Sequence, residues 1–225
     1  MKNDNKFAQD LSFFIRKIGK DLDRKTLKKL IRIQRKLIEL HAKGLVKINH
    51  SVMEVLCAKF LIIEGYDVEV EKPLGVNLTC DIYGVKGEGV LIVEVETGFI
   101  PPDHALDPSI YSVARIASKI ARYSVFADKF ALGVPPYHLL NFPKIFVKPP
   151  RDRSLNEINE IKALCDIYYK NPPISLEELR NARLHTVYVI DVDGEVVREV
   201  DPDAYWDIVQ SWNYKLKENS IKENL

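Results

Sequence analysis

Three carboxylates stand near the end of one apolar stretch. Asp81 lies in a segment with strand character, and Glu94 and Glu96 close the next one, Val90-Leu91-Ile92-Val93-Glu94-Val95-Glu96. Positions two apart on a strand share a face, so Glu94 and Glu96 project together. A hairpin between the two segments sets Asp81 opposite them. Like charges gathered at one point are unfavourable unless one carboxyl takes a proton or a cation binds. Oxygen ligands suit hard divalent ions, Mg2+ or Mn2+, which keep waters on their remaining positions. Such an ion, held by Asp81, Glu94 and a backbone carbonyl, would activate a water and neutralise charge on a scissile phosphate. Glu54, on the preceding helix, is placed to join as a ligand or an outer partner.

Periodicity defines the elements that must position these groups. Phe7, Leu11, Phe14, Ile15 and Ile18 predict a helix over 7–18. Leu27, Leu30, Ile31, Leu37 and Ile38 predict a second over 26–42, ended by Gly44. Ser51 serves as N-cap for a third helix over 52–64, closed by Gly65. From 66 to 72 the chain alternates, with Val68 and Val70 on one face and Glu69 and Glu71 on the other. Strands follow at 76–85 and 89–96, with the turn between Gly84 and Gly89, and the Val-Leu-Ile-Val run implies burial on both faces. A helix over 109–126, a strand over 129–134 and a further strand over 144–148 come next. A hairpin over 186–200 turns at Asp193-Gly194, and Asp201 or Asp203 caps a last helix carrying Trp206 and Trp212. The expected fold is α/β: an α-β-β-β-α-β core with a mixed central sheet over 48–150. A basic helical region over 1–47 precedes it, and a C-terminal α+β extension over 151–225 follows.

With 225 residues, 46% apolar and 29% charged, the chain can build a packed core. No apolar run approaches the ~18 residues of a membrane span, and Met-Lys-Asn-Asp-Asn is no signal segment, so a cytoplasmic protein is expected. Cys57, Cys80 and Cys165 show no C-x-x-C spacing, which argues against a disulfide framework or a zinc ribbon. A phosphate-binding G-x-x-x-x-G-K-[ST], an H-E-x-x-H and a G-x-S-x-G are all absent. His41, His50, His104, His138 and His185 are scattered, without metal-ligand pairing; His104 alone follows the acidic strand closely. Charge is divided unevenly: residues 1–50 carry a balance of +9 and the remainder −8. Arg24, Lys25, Lys28, Lys29 and Arg32 therefore make either a polyanion-binding arm or the solvated face of an amphipathic helix. As an arm they would grip phosphates with salt-sensitive affinity and no sequence preference.

Glu54 on a helix, then Asp81, then Glu94-Val95-Glu96 on a buried strand, then a helix and a strand, resembles the PD-(D/E)XK nuclease superfamily. The separations, 27 residues from Glu54 to Asp81 and 13 from Asp81 to Glu94, are similar to those of archaeal Holliday-junction resolvases in that group. The likeness covers residues 50–135. It implies a restriction-endonuclease-like fold and metal-dependent hydrolysis of DNA phosphodiesters, on double-stranded or branched DNA, leaving a 5′-phosphate. It further implies Asp81 and Glu94 as metal ligands, Glu54 as an auxiliary one, and a homodimer.

Two positions depart from the pattern. Cys80 precedes Asp81 where the family has proline, and Glu96 stands where the motif has lysine. Losing that positive charge is electrostatically costly. Glu96 would then act as general base, or a cation would reach in from the next helix. Lys119 and Tyr123, four apart there, resemble the Gln-x-x-x-Tyr feature of the helicase-associated branch, and Arg115 and Arg122 flank them to meet a phosphate backbone. The alternative is a nuclease-like fold that binds DNA or a partner protein and no longer cuts.

Overall fold

The computed structural model describes the backbone of residues 2–222 and the side chains of 5–212. Six strands form one mixed sheet in the order β1 (Asp67–Gly75), β2 (Leu78–Lys86), β3 (Gly89–Val95), β4 (Lys129–Val134), β5 (Thr186–Asp191) and β6 (Val196–Val200). β1, β2 and β3 are an antiparallel meander, β4 and β5 run parallel to β3, and β6 returns antiparallel. The C-terminal hairpin thus continues the sheet of the core.

Helices cover both faces. On one side lie α1 (Lys2–Ile18), α2 (Arg24–Ala42) and α3 (Ile48–Ile63), packed on Val70, Ile82, Leu91, Val93 and Val95. α3 is the inner helix. It is buried nearly all round, from Met53 through Leu56 and Ala58 to Ile62, because it lies between the sheet and the α1–α2 pair. α1 and α2 are strongly amphipathic, and Asp23 caps α2 by accepting from the backbone amides of Lys25 and Thr26. On the other face α4 (Pro108–Tyr123), α5 (Leu155–Tyr168), α6 (Leu176–Asn181) and α7 (Pro202–Lys222) enclose Ile92, Phe130, Leu132 and Val187. β3 and β4 are therefore buried on both faces, as their unbroken apolar runs require.

Three local expectations are corrected. Residues 144–148 form no strand: Lys144–Phe146 is a 3-10 turn that drives Ile145 and Phe146 into the core. Pro143 and Pro149 bound it, and proline cannot donate to a ladder. α3 begins three residues before Ser51, with Lys47 at the cap position, so Ser51 lies inside the helix and is buried. The alternation of β1 stops at Glu71, where φ is +47°. Val70 and Ile82 pack toward α3, whereas Cys80 and the Lys72–Tyr83 pair lie on the opposite face. Both strands thus change phase at the Glu71–Asp81 level.

Candidate functional site

At that level β2 and β3 part. The paired register runs from Lys86↔Gly89 to Ile82↔Val93, and beyond it side chains take over the ladder. The Asp81 amide donates to Glu94 Oε1 at 3.1 Å, and Asp81 Oδ2 accepts from the Val95 amide at 2.6 Å. Two carboxylates thus satisfy backbone donors that the splayed strands leave free. Around this junction lie two clusters of opposite character.

The first faces α3. His50 and Glu54, one turn apart, join by Nδ1 to Oε1 at 2.7 Å. His50 Nε2 bonds the Val95 carbonyl at 3.1 Å and stands 3.5 Å from Asp81 Oδ2. His50, Glu54, Glu71 and Asp81 each offer one ligand atom, all within 4.8 Å of one another. Glu54 is wholly buried; its Oε2 meets no N–H donor, and the neighbouring Glu71 carboxyl bonds Glu54 when protonated. Burial, with the charges of Glu54 and Asp81 behind it, pushes the Glu71 carboxyl up to about 8. Burial also raises Glu54. His50 moves the other way from what burial alone would do: its bond to Glu54 and the carboxylates around it lift it to about 10. Three carboxylates share one imidazolium, so the cluster lacks positive charge. One nitrogen and three carboxylate oxygens match a divalent cation, and the imidazole suits manganese better than magnesium. A cation would take the place of the proton that Glu54 and Glu71 share, so these residues fit one.

The second cluster faces α4. Lys119 Nζ lies 3.0 Å from Glu94 Oε2 and 2.8 Å from Glu96 Oε1. Arg115 also pairs with Glu96 and donates to the Phe99 carbonyl at 2.7 Å. Burial acts to raise Glu96, but Lys119 and Arg115 outweigh it and hold the carboxyl below its ordinary value. Glu94 is pushed up to about 8 by burial and by Asp81, against the pull of Lys119. Two carboxylates here meet two cations.

Of the residues singled out in the sequence, Glu54 and Asp81 fall in the first cluster and Glu94, Glu96, Lys119 and Arg115 in the second, with Asp81 joining the two. Tyr123 donates to the Thr79 carbonyl at 2.9 Å, behind the site. Arg122 donates to the Pro172 carbonyl and lies over the Tyr169 ring. His104 stacks on Tyr111 and is in neither cluster. Arg24, Lys25, Lys28 and Arg32 are exposed along α2, and Lys29 pairs with Asp67. From Lys29 to the end of α2, beside the start of α3, is about 20 Å at 1.5 Å per residue, so the basic face stands well apart from the acids.

His50 and Glu71 are missing from the sequence-derived set. The signal for His50 was its i, i+4 spacing to Glu54 on one helix face. Glu71 carries no sequence signal, since only its unusual φ turns it inward.

The first cluster opens into a cleft of about 460 Å3 lined by Leu45, Lys47, Asn49, His50, Glu71, Asp81, Thr97 and Phe99 among others. No family model, curated protein or solved structure matches this chain. Among the described residues, no helix is long and apolar enough to cross a membrane.

Proposed function

We propose that this chain is a metal-dependent endonuclease that hydrolyses DNA phosphodiester bonds at the cleft below Phe99. The observation that carries the reading is the gathering of His50, Glu54, Glu71 and Asp81, ligand atoms all within 4.8 Å, at the point where β2 and β3 diverge, with Glu94 bonded to the Asp81 amide. The order α3-β1-β2-β3-α4-β4, with a meander followed by a parallel β4, supports a restriction-endonuclease-like core. It agrees with the PD-(D/E)XK resemblance of the motif.

A divalent cation, when bound, supplies Lewis acidity at a phosphate oxygen and acidifies a water. His50, Glu54, Glu71 and Asp81 would hold it. Glu94 fixes Asp81 through its backbone amide, which keeps the Asp81 carboxylate directed at its neighbours. Lys119, the cation nearest the motif's lysine position, is held by Glu94 and Glu96 on the α4 side and fixes these carboxylates behind the cleft. Glu96, kept ionised by two cations, anchors Lys119 and Arg115 and is a poor general base. Glu71 lines the cleft wall beside His50 and Asp81, which suits it to the role of ligand. The exposed α2 cations would hold the flanking duplex, and a homodimer would cut two strands.

The test is a cleavage panel of supercoiled, linear, single-stranded and four-way-junction DNA with Mn2+, with Mg2+ and with chelator. Metal-dependent nicking that disappears in Asp81→Ala is expected. Activity that survives the substitution contradicts the assignment. One observation favours a second reading: Lys119 and Arg115 already neutralise Glu94 and Glu96 without any metal. A DNA-binding module that no longer cuts has that property, and salt-sensitive binding with no cleavage would establish it.

A further inference from the structure

The mouth of the cleft carries an aromatic ring held out to solvent on a fixed backbone. Phe99 is 61% exposed, on the loop that leaves β3 directly after Glu96. Its main chain is tied down: Arg115 donates to its carbonyl, and the preceding Gly98 has φ +80°. A Cβ on Gly98 would lie 2.7 Å from His138 Nδ1, so the loop packs onto the loop after β4 as only glycine permits. Lys47, the exposed residue before α3, sets its ammonium 5.8 Å from the Phe99 ring centre. Leu45, 67% exposed, lines the same cleft. An exposed ring with a cation beside it stands at the mouth of a cleft above a carboxylate cluster. A ligand with a flat apolar face and an adjoining anion would cover both.

We infer that Phe99 and Lys47 form a rim that stacks one unpaired base and meets its phosphate, so the cleft takes DNA with an unstacked nucleotide beside the reacting bond. The inference rests on the phosphodiester reading of this site and narrows its substrate to single strands, flaps and junction arms. Every base has a π-face, so the contact is indifferent to sequence. A base still stacked in a duplex offers only its edge. The parallel strand ends β3 and β4 that support the two loops are where open α/β sheets receive ligands.

The experiment measures fluorescence anisotropy of a labelled single strand, and of the same strand annealed to its complement, with Ca2+ in place of Mn2+. Wild type, Phe99→Leu, Phe99→Trp and Lys47→Ala are compared, and each is also assayed for Mn2+-dependent nicking of supercoiled DNA. Phe99→Leu keeps an apolar side chain and loses the flat ring, so single-strand affinity should fall about tenfold while duplex affinity holds. Phe99→Trp should restore it. Lys47→Ala should weaken single-strand binding and lower its salt slope. Equal affinity of Phe99→Leu and wild type for the single strand, or equal losses on both substrates, overturns the inference while nicking by wild type keeps the nuclease reading. Wild type that neither binds nor nicks DNA overturns both.

Discussion

Two carboxylate clusters lie back to back through the sheet, and they balance charge in different ways. Toward α4, Glu94 and Glu96 meet Lys119 and Arg115, and the chain neutralises itself. Toward α3, Glu54, Glu71 and Asp81 meet only His50. The first arrangement is structural ballast that also presents an ammonium. The second has more acids than bases, and on the proposed reading a cation from outside would balance it. Asp81 spans them, bonded through its amide to one and through its carboxylate to the other. A sheet that parts at one level can therefore hold a fixed charge pair and a variable one a few ångströms apart.

The difference is best broken by substitutions that act oppositely on the two sides. Asp81→Asn should have the largest effect, lowering Mn2+ affinity at least about a hundredfold, since even outer partners of ligands cost tenfold to a hundredfold. Isothermal titration of metal-stripped protein reads it. Glu96→Ala should then cost about 2–3 kcal/mol of folding stability, because it strands Arg115 and half-strands Lys119, both still a fifth to a quarter exposed. Glu54→Gln should cost less metal-free stability than Glu96→Ala, because the glutamine oxygen still accepts from His50 while one charge leaves the acidic cluster. It should nonetheless weaken Mn2+ binding. Urea melts of the two variants distinguish these outcomes, and equal destabilisation would erase the contrast between the clusters.

The pH dependence sharpens the same contrast. The Glu71 carboxyl is raised from 4.5 to about 8 on folding, so between those values the unfolded chain binds fewer protons than the native one. Stability of the metal-free protein therefore falls as pH rises through that window. His50 adds the same sign higher up, its contribution present below 6.5 and lost as pH passes about 10. The melting temperature of wild type should fall more steeply across this range than that of Glu71→Gln, and Mn2+ should flatten the curve by displacing protons. On the remote basic face the effects are smallest. Lys28→Ala and Arg32→Ala should each reduce the salt slope of DNA binding by about one, with stability within about 0.5 kcal/mol of wild type.

Much of this was legible in the sequence because it rests on periodicity. The apolar stripe of α2, the Val-Leu-Ile-Val strand and the pairing of Glu94 with Glu96 on one face all follow from the helical and strand repeats. Lys119 was also within reach through its spacing to Tyr123 on the helix after the acidic strand, and the structure sets it against Glu94 and Glu96. His50 was hidden by a boundary. Ser51 is a good capping residue, and a helix started there leaves His50 outside and its i, i+4 relation to Glu54 unseen. Glu71 was hidden by conformation, because strict alternation sends it to the outer face with Glu69 and only a φ of +47° brings it in. The 3-10 turn at Lys144–Phe146 carries the same short apolar run as a strand, and its flanking prolines decide between them.

The most direct test is an electron spin-echo measurement on metal-stripped protein titrated with Mn2+. The account predicts one tightly held ion with nitrogen modulation from an imidazole ligand, a modulation that vanishes in His50→Ala, with binding itself lost in Asp81→Asn. No tightly bound ion, or a bound ion whose spectrum is indifferent to both substitutions, would contradict it.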